Sequence, residues 1–238
     1  MNKKTWLITA PQLSIIGFIF FNILAMVLYP GGTLHDRYTT HYSFFNNFLS
    51  DLGRFHSWYG DAKSIPNFFS MIFFNGTMII TGVVFSLYFI NLRSIFNLRI
   101  QDSTFSENNF LYCISILGTI CGIAGGLSMI GVGLTPADLY FPSHLAFAHW
   151  LFRFFFLAAT CYTIIILRTD LIENRYVIGF FIFAILIFFY IIFSEFGPDA
   201  NKNLRALMMQ VTAQKSILFC FLIAIYIQTK GLYFLLED

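Results

Sequence analysis

Apolar runs of about twenty residues alternate along this chain with short polar breaks. They fall at about 8–29, 67–90, 110–132, 144–167, 176–196 and 208–228. At 1.5 Å rise per residue, each is long enough to cross roughly 30 Å of hydrocarbon. A backbone in lipid must satisfy its own hydrogen bonds, so such runs predict helices. The pattern predicts an all-α, polytopic membrane protein with six transmembrane helices in one domain over 1–238. The first run follows Lys3 and Lys4, as in a signal peptide. It continues to Tyr29, beyond the ~7–15 residues of a signal core, and reads as an uncleaved first span.

One segment departs from this alternation. Tyr38–Arg54, YTTHYSFFNNFLSDLGR, is dense in polar and titratable side chains. Its apolar residues Phe44, Phe45, Phe48, Leu49 and Leu52 fall at helical spacing, opposite Asn47, Ser50, Asp51 and Arg54. The spacing predicts an outer amphipathic helix of about three turns, capped by Thr39, Thr40 or Ser43 and ended by Gly53 in a left-handed conformation. Two placements follow: the polar stripe lies in water on the leaflet, or it tucks over the mouth of the bundle.

Composition fixes the solvent. The 238 residues are 58% hydrophobic and 11% charged, against about 25% charged in soluble domains. Mean hydropathy is +0.72. A net charge of +2 gives no reason to expect nucleic acid as a partner. Membrane lipid is the expected partner, with a small-molecule ligand as a further one; oligomeric state is open. Cys113, Cys121, Cys161 and Cys220 lie in apolar runs without a C-x-x-C pair, and read as small buried hydrophobes.

Loop charges orient the chain. Lys3, Lys4, Arg93, Arg99, Arg168, Arg175 and Lys230 fall on one side. Arg37, Arg54, Lys63, Lys202 and Arg205 fall on the other, in longer loops. This places both termini in the cytoplasm, and Tyr38–Arg54 outside the cell membrane. The loop at 101–109 reads as a solvated cytoplasmic turn. In the third run Gly118, Gly122 and Gly126 recur every four residues beside Gly125, a pattern that lets a neighbouring helix approach closely. Packing within the chain is the first reading of that ridge, a dimer seam the second.

Candidate chemistry collects at the outer ends of the spans. His149 and Arg153 share a face of the fourth run, and Arg153 lies about nine residues into it. A charge at that depth is costly and points to a bundle interior or cavity. Glu195 and Asp51 are its candidate partners. Lys215 lies within the sixth run, next to Gln210 and Gln214. With His144, these residues suggest an outward polar pocket for a lipid head group or small ligand, formed by Asn47, Ser50, Asp51, Arg54, His144, His149, Arg153, Glu195 and Lys215. No cofactor is expected on this reading. The alternative is a zinc-dependent lipid hydrolase with His41, Asp51, His144 and His149 as ligands. The inventory suffices for it, but neither H-E-x-x-H nor H-x-x-x-H occurs. His144 and His149, five residues apart, do not share a helical face. A small-solute transporter is the third reading; six spans are compatible with it, but no internal repeat is found. Pro142-Ser143-His144 lacks the glycine of a lipid-phosphatase P-S-G-H motif.

Two blocks carry a family resemblance. They are Tyr42-Ser43 with Asn47-Phe48-Leu49-Ser50-Asp51-Leu52-Gly53, and Gly131-Val132-Gly133-Leu134-Thr135-Pro136 ahead of His144. Together they resemble the prokaryotic integral membrane proteins grouped as domain of unknown function 998, of Frag1/DRAM-like six-span architecture. That resemblance implies an outer S-D-L-G turn after the first span and a glycine-proline segment before a histidine opening the fourth. It implies no reaction. Thr135 stands where the family pattern has Phe. A more distant likeness to the ceramidase and progestin-receptor superfamily of membrane hydrolases lacks the seventh span and the late H-x-x-x-H of that group.

Overall fold

The computed structural model describes residues 3–61, 65–102, 108–169 and 172–237, with backbone alone at 98–102, 108 and 237. The loop at 101–109 lies largely outside these residues, as does Lys63. Six helices are long and apolar enough to cross a membrane. A π-turn at Thr5–Thr9 leads into α1 (Ala10–Leu28). It is followed by α2 (Phe68–Asp102), α3 (Asn108–Leu134), α4 (Phe141–Thr169), α5 (Asn174–Phe196) and α6 (Leu204–Glu237). The described residues contain no β-strand, only an isolated bridge between His56 and Pro66.

Local chemistry sets the ends. Pro11 lies just after the π-turn, where the already helical chain passes into α1. Helix α5 stops at Phe196, before Gly197 and Pro198. Asn203 caps α6, its Oδ1 accepting from the Ala206 N–H at 2.9 Å.

Consecutive helices pack side by side, most closely α2 with α3 and α3 with α4, while α1 meets α6 only lightly. The glycine ridge of α3 explains the closeness. A side chain at Gly126 would run into Gly82 and Ser86 of α2, and one at Gly122 into the Phe89 ring. On the other flank Gly118 faces Cys161 and Tyr162, and Gly125 faces Phe155 of α4. The ridge is therefore used within the chain. Aromatic rings fill the centre of the bundle. Phe221 lies 4.4 Å from Phe155, 5.1 Å from Phe183 and 5.2 Å from Phe85, centroid to centroid.

The segment between α1 and α2 is not the three-turn amphipathic helix that spacing predicts. Residues 44–46 form a turn, and only Leu49–Gly53 is helical, as a short 3-10 helix. Gly53 does not end it in a left-handed conformation; positive φ occurs at Gly31, Gly32 and Gly60. Gly53 is needed for close approach, because a Cβ there would strike Asn75 and the Phe74 ring of α2. The polar stripe faces inward: Asn47 is 0% exposed, Asp51 6% and Arg54 7%. The segment is a plug at one end of the bundle, opposite the two termini.

Candidate functional site

The plug is built around Asp51. Its Oδ1 accepts from the Trp58 indole Nε1 at 2.8 Å. Its Oδ2 accepts from the Phe48 N–H at 2.9 Å and from Asn47 Nδ2 at 3.2 Å. Asn47 also donates to Gly32 O at 2.9 Å and accepts from Ser43 N–H at 2.9 Å, so Ser43 is held rather than capping a helix. The Arg54 and Arg37 guanidiniums stack on the Trp58 ring, 3.7 Å and 4.2 Å from its centroid. Tyr29 OH accepts from the Trp58 N–H at 3.3 Å. Burial pushes the Asp51 carboxyl above the ordinary carboxylate range, against the opposing pull of Arg54 and the three donors. Burial likewise raises the Tyr29 and Tyr42 phenols and lowers the Arg37 guanidinium.

The bundle holds this plug by its main chain. From α2 and the residue before it, Asn67 Nδ2 donates to Leu52 O at 2.9 Å and Arg54 O at 3.0 Å. Ser70 Oγ donates to Leu52 O at 3.1 Å, and Asn75 Nδ2 to Gly53 O at 3.1 Å. From the loop before α4, Asp138 accepts from the Phe55 and His56 N–H groups, each at 2.8 Å. From α6, Gln214 Oε1 accepts from the Leu49 N–H at 3.0 Å. Lys215 Nζ donates to Asn47 O at 2.7 Å and also to Phe44 O. Gln210 turns instead to the α5–α6 loop, donating to Pro198 O at 3.0 Å.

The candidate residues thus separate into three places. Asn47, Asp51 and Arg54 form the plug interior, with Lys215 beneath them. Ser50 and His144 line a second place, a cavity of about 50 Å³ under the 3-10 helix, closed by Phe74, Met78, Leu151 and Gln214. It has room for about one or two waters. His144 Nδ1 lies 2.7 Å from Thr135 O, which can only accept, so Nδ1 donates in this contact. Arg153 is in neither place. It pairs with Glu195, as the sequence suggests, and donates to His149 O at 2.9 Å. The two side chains are 29% and 35% exposed, on the α4–α5 flank rather than in the interior. Asp51, its other candidate partner, is occupied by Trp58, Phe48 and Asn47. No open polar pocket joins all nine residues.

The four candidate zinc ligands do not converge. His41 is exposed beside Thr40, Asp51 is saturated by donors, His144 faces the small cavity, and His149 lies on the Arg153 flank. Among the described residues no three His, Cys, Asp or Glu side chains gather in a way that would hold a metal.

Sequence reasoning missed Trp58, Arg37, Asn67, Ser70 and Asn75. One signal was present: Asn67, Ser70 and Asn75 place three polar side chains on one side of the start of an otherwise apolar run.

One opening beside the plug is sideways. A groove of about 380 Å³ runs between α1 and α6, where their packing is lightest. Phe18, Ile19, Ile23 and Met26 form one wall, and Leu218, Phe219 and Leu222 the other. Phe44, Leu49 and Lys215 close the end next to the plug. Leu49 and Leu218 also line the small cavity, so the two spaces adjoin.

Comparison with protein-family models, curated proteins and solved structures finds no match to this chain.

Proposed function

We propose that this chain is a membrane-embedded lipid-binding protein whose ligand enters from the bilayer between α1 and α6. The observation that carries the reading is the groove itself: apolar along its length, open on its flank, and ended by a lysine under a polar plug. Its volume lies in the range of small-ligand sites. The plug is the rigid roof of this site. The polar groups of Asn47, Asp51 and Trp58 are spent on one another and on the neighbouring main chain, so the plug closes the bundle end. In the cell membrane the plug faces outward and both termini are cytoplasmic, following the Lys and Arg bias of the loops.

The test fills the groove. Ser216, on its α6 wall, is changed to Trp, and purified wild type and variant are compared by lipid mass spectrometry. Loss of the retained lipid in Ser216→Trp supports the site; an identical lipid complement in both proteins refutes it. Reporter fusions at each terminus check the orientation, and an external C-terminus overturns it.

A further inference from the structure

Building on the groove reading, we infer that the ligand is a single-chain amphiphile with an anionic head group, and that Lys215 is its counter-charge. Among the described residues Lys215 is the only charged one that lines the groove; the other polar lining residues, Asn22, Thr212 and Ser216, are neutral. Its ammonium has two neutral acceptors, Phe44 O and Asn47 O. It faces two aromatic rings, Tyr42 at 5.0 Å and Phe44 at 4.5 Å to the centroids. Among the described residues no carboxylate lies within ion-pair distance of it. A cation so far into a span is held by carbonyls and rings without a direct ion pair; the carboxylate that acts on it, Asp51, stands beyond ion-pair distance and is already taken by its own three donors. Three ammonium protons shared between two carbonyls leave one for a ligand oxygen.

The size of the groove sets the chain count. At roughly 30 Å³ for a water-sized group, 380 Å³ holds about a dozen such groups, the size of one acyl chain. The lining of α6 runs from Thr212 to Leu222, ten residues or about 15 Å along its axis, with Lys215 near its plug end, so the head sits at the plug and the tail lies along the helix.

The experiment uses full-length protein in nanodiscs of zwitterionic phosphatidylcholine and a diazirine-bearing fatty acid as photoprobe. Crosslinks are expected on α1 and α6 at the groove walls. Laurate is expected to displace the probe at about tenfold lower concentration than monolaurin, its neutral counterpart of equal chain length. Two-chain phosphatidylglycerol is expected to compete no better than monolaurin. Lys215→Gln should erase the preference for laurate, and Lys215→Arg should keep it. Crosslinking in the groove with laurate and monolaurin equal in the wild type overturns the charge assignment and leaves the groove reading standing. Better competition by phosphatidylglycerol than by laurate overturns the single-chain assignment. Crosslinks absent from α1 and α6 overturn both readings.

Discussion

Replacing Asp51 by alanine tests whether the plug is held as its geometry indicates. The side chain is 6% exposed and accepts from three donors, the Trp58 indole N–H, the Phe48 N–H and the Asn47 amide. Truncation leaves the Trp58 and Phe48 N–H groups without an acceptor, and of the Asn47 amide's two bonds only the one to Gly32 O remains. A buried donor deprived of its partner costs about 1–3 kcal/mol. The sum is roughly 3–9 kcal/mol, and water entering the space vacated by the carboxylate brings the expected loss to about 3–5 kcal/mol. For a chain of this size each kcal/mol moves the midpoint by about 2–4 °C, so Asp51→Ala should lower it by on the order of 10 °C. The assay is thermal unfolding of the detergent-solubilised protein, followed by tryptophan fluorescence, with limited proteolysis of residues 29–67 alongside. Asp51→Asn, which keeps one acceptor oxygen, should fall between wild type and Asp51→Ala. A shift below about 2 °C with unchanged proteolysis would refute the view that Asp51 organises the plug. The same residue sets a pH dependence. Its folded-state value is raised above the ordinary value of about 3.9. The folded state then binds this proton more tightly than the unfolded chain. The stability tied to it is fully present below about pH 4 and lost as pH rises through the folded value. Asp51→Asn should flatten that fall; stability that climbs with pH through the same window in the wild type, but not in Asp51→Asn, contradicts it.

Gly82→Ala should destabilise the α2–α3 pair by about 1–3 kcal/mol, because its methyl would meet the Gly126 carbonyl oxygen and backbone cannot swing aside. Gly17→Ala, with open space at its Cβ, should cost nothing in the same thermal assay, and equal losses at both sites would sink the close-packing account. At the α4–α5 flank, Glu195→Leu strands Arg153 in a span, so adding Arg153→Met should restore part of the loss. A double-mutant cycle is expected to give a coupling of about 0.5–3 kcal/mol, and strictly additive losses would argue that the pair is incidental.

The spans were legible because lipid leaves a chain little choice. Every run had to be a helix, and the spacing of Gly118, Gly122 and Gly126 marked the packing seam directly. The plug was legible in content but not in form. Asn47, Asp51 and Arg54 stood out as polar groups with no reason to be in a short loop. Their helical spacing suggested one stripe, lying in water or tucked over the bundle mouth; they point inward around Trp58, but not as a helical stripe. Periodicity reports which residues share a face only if the segment bonds to itself. Here the carbonyls of Leu52, Gly53 and Arg54 are taken by Asn67, Ser70 and Asn75 instead, and the segment folds to suit those partners. The same limit applies to Arg153. Its pairing with Glu195 could be proposed from charge, but only the packing of α4 on α5 places the pair on the flank.

Reading main chain through side chains that lie far along the sequence has a consequence for biosynthesis. Residues 29–67 leave the ribosome directly after α1; Asn67 comes with them and Ser70 and Asn75 follow at once, but their other grips arrive much later. Phe55 waits 83 residues for Asp138, Leu49 waits 165 for Gln214, and Asn47 waits 168 for Lys215. N-terminal parts of a chain ordinarily fold first as it is made. In this protein one of the earliest segments to emerge is among the last to settle, sealed only when α6 has entered the membrane. A nascent chain halted before α6 would carry the plug only partly secured, so the state of the plug reports whether the whole bundle has been assembled.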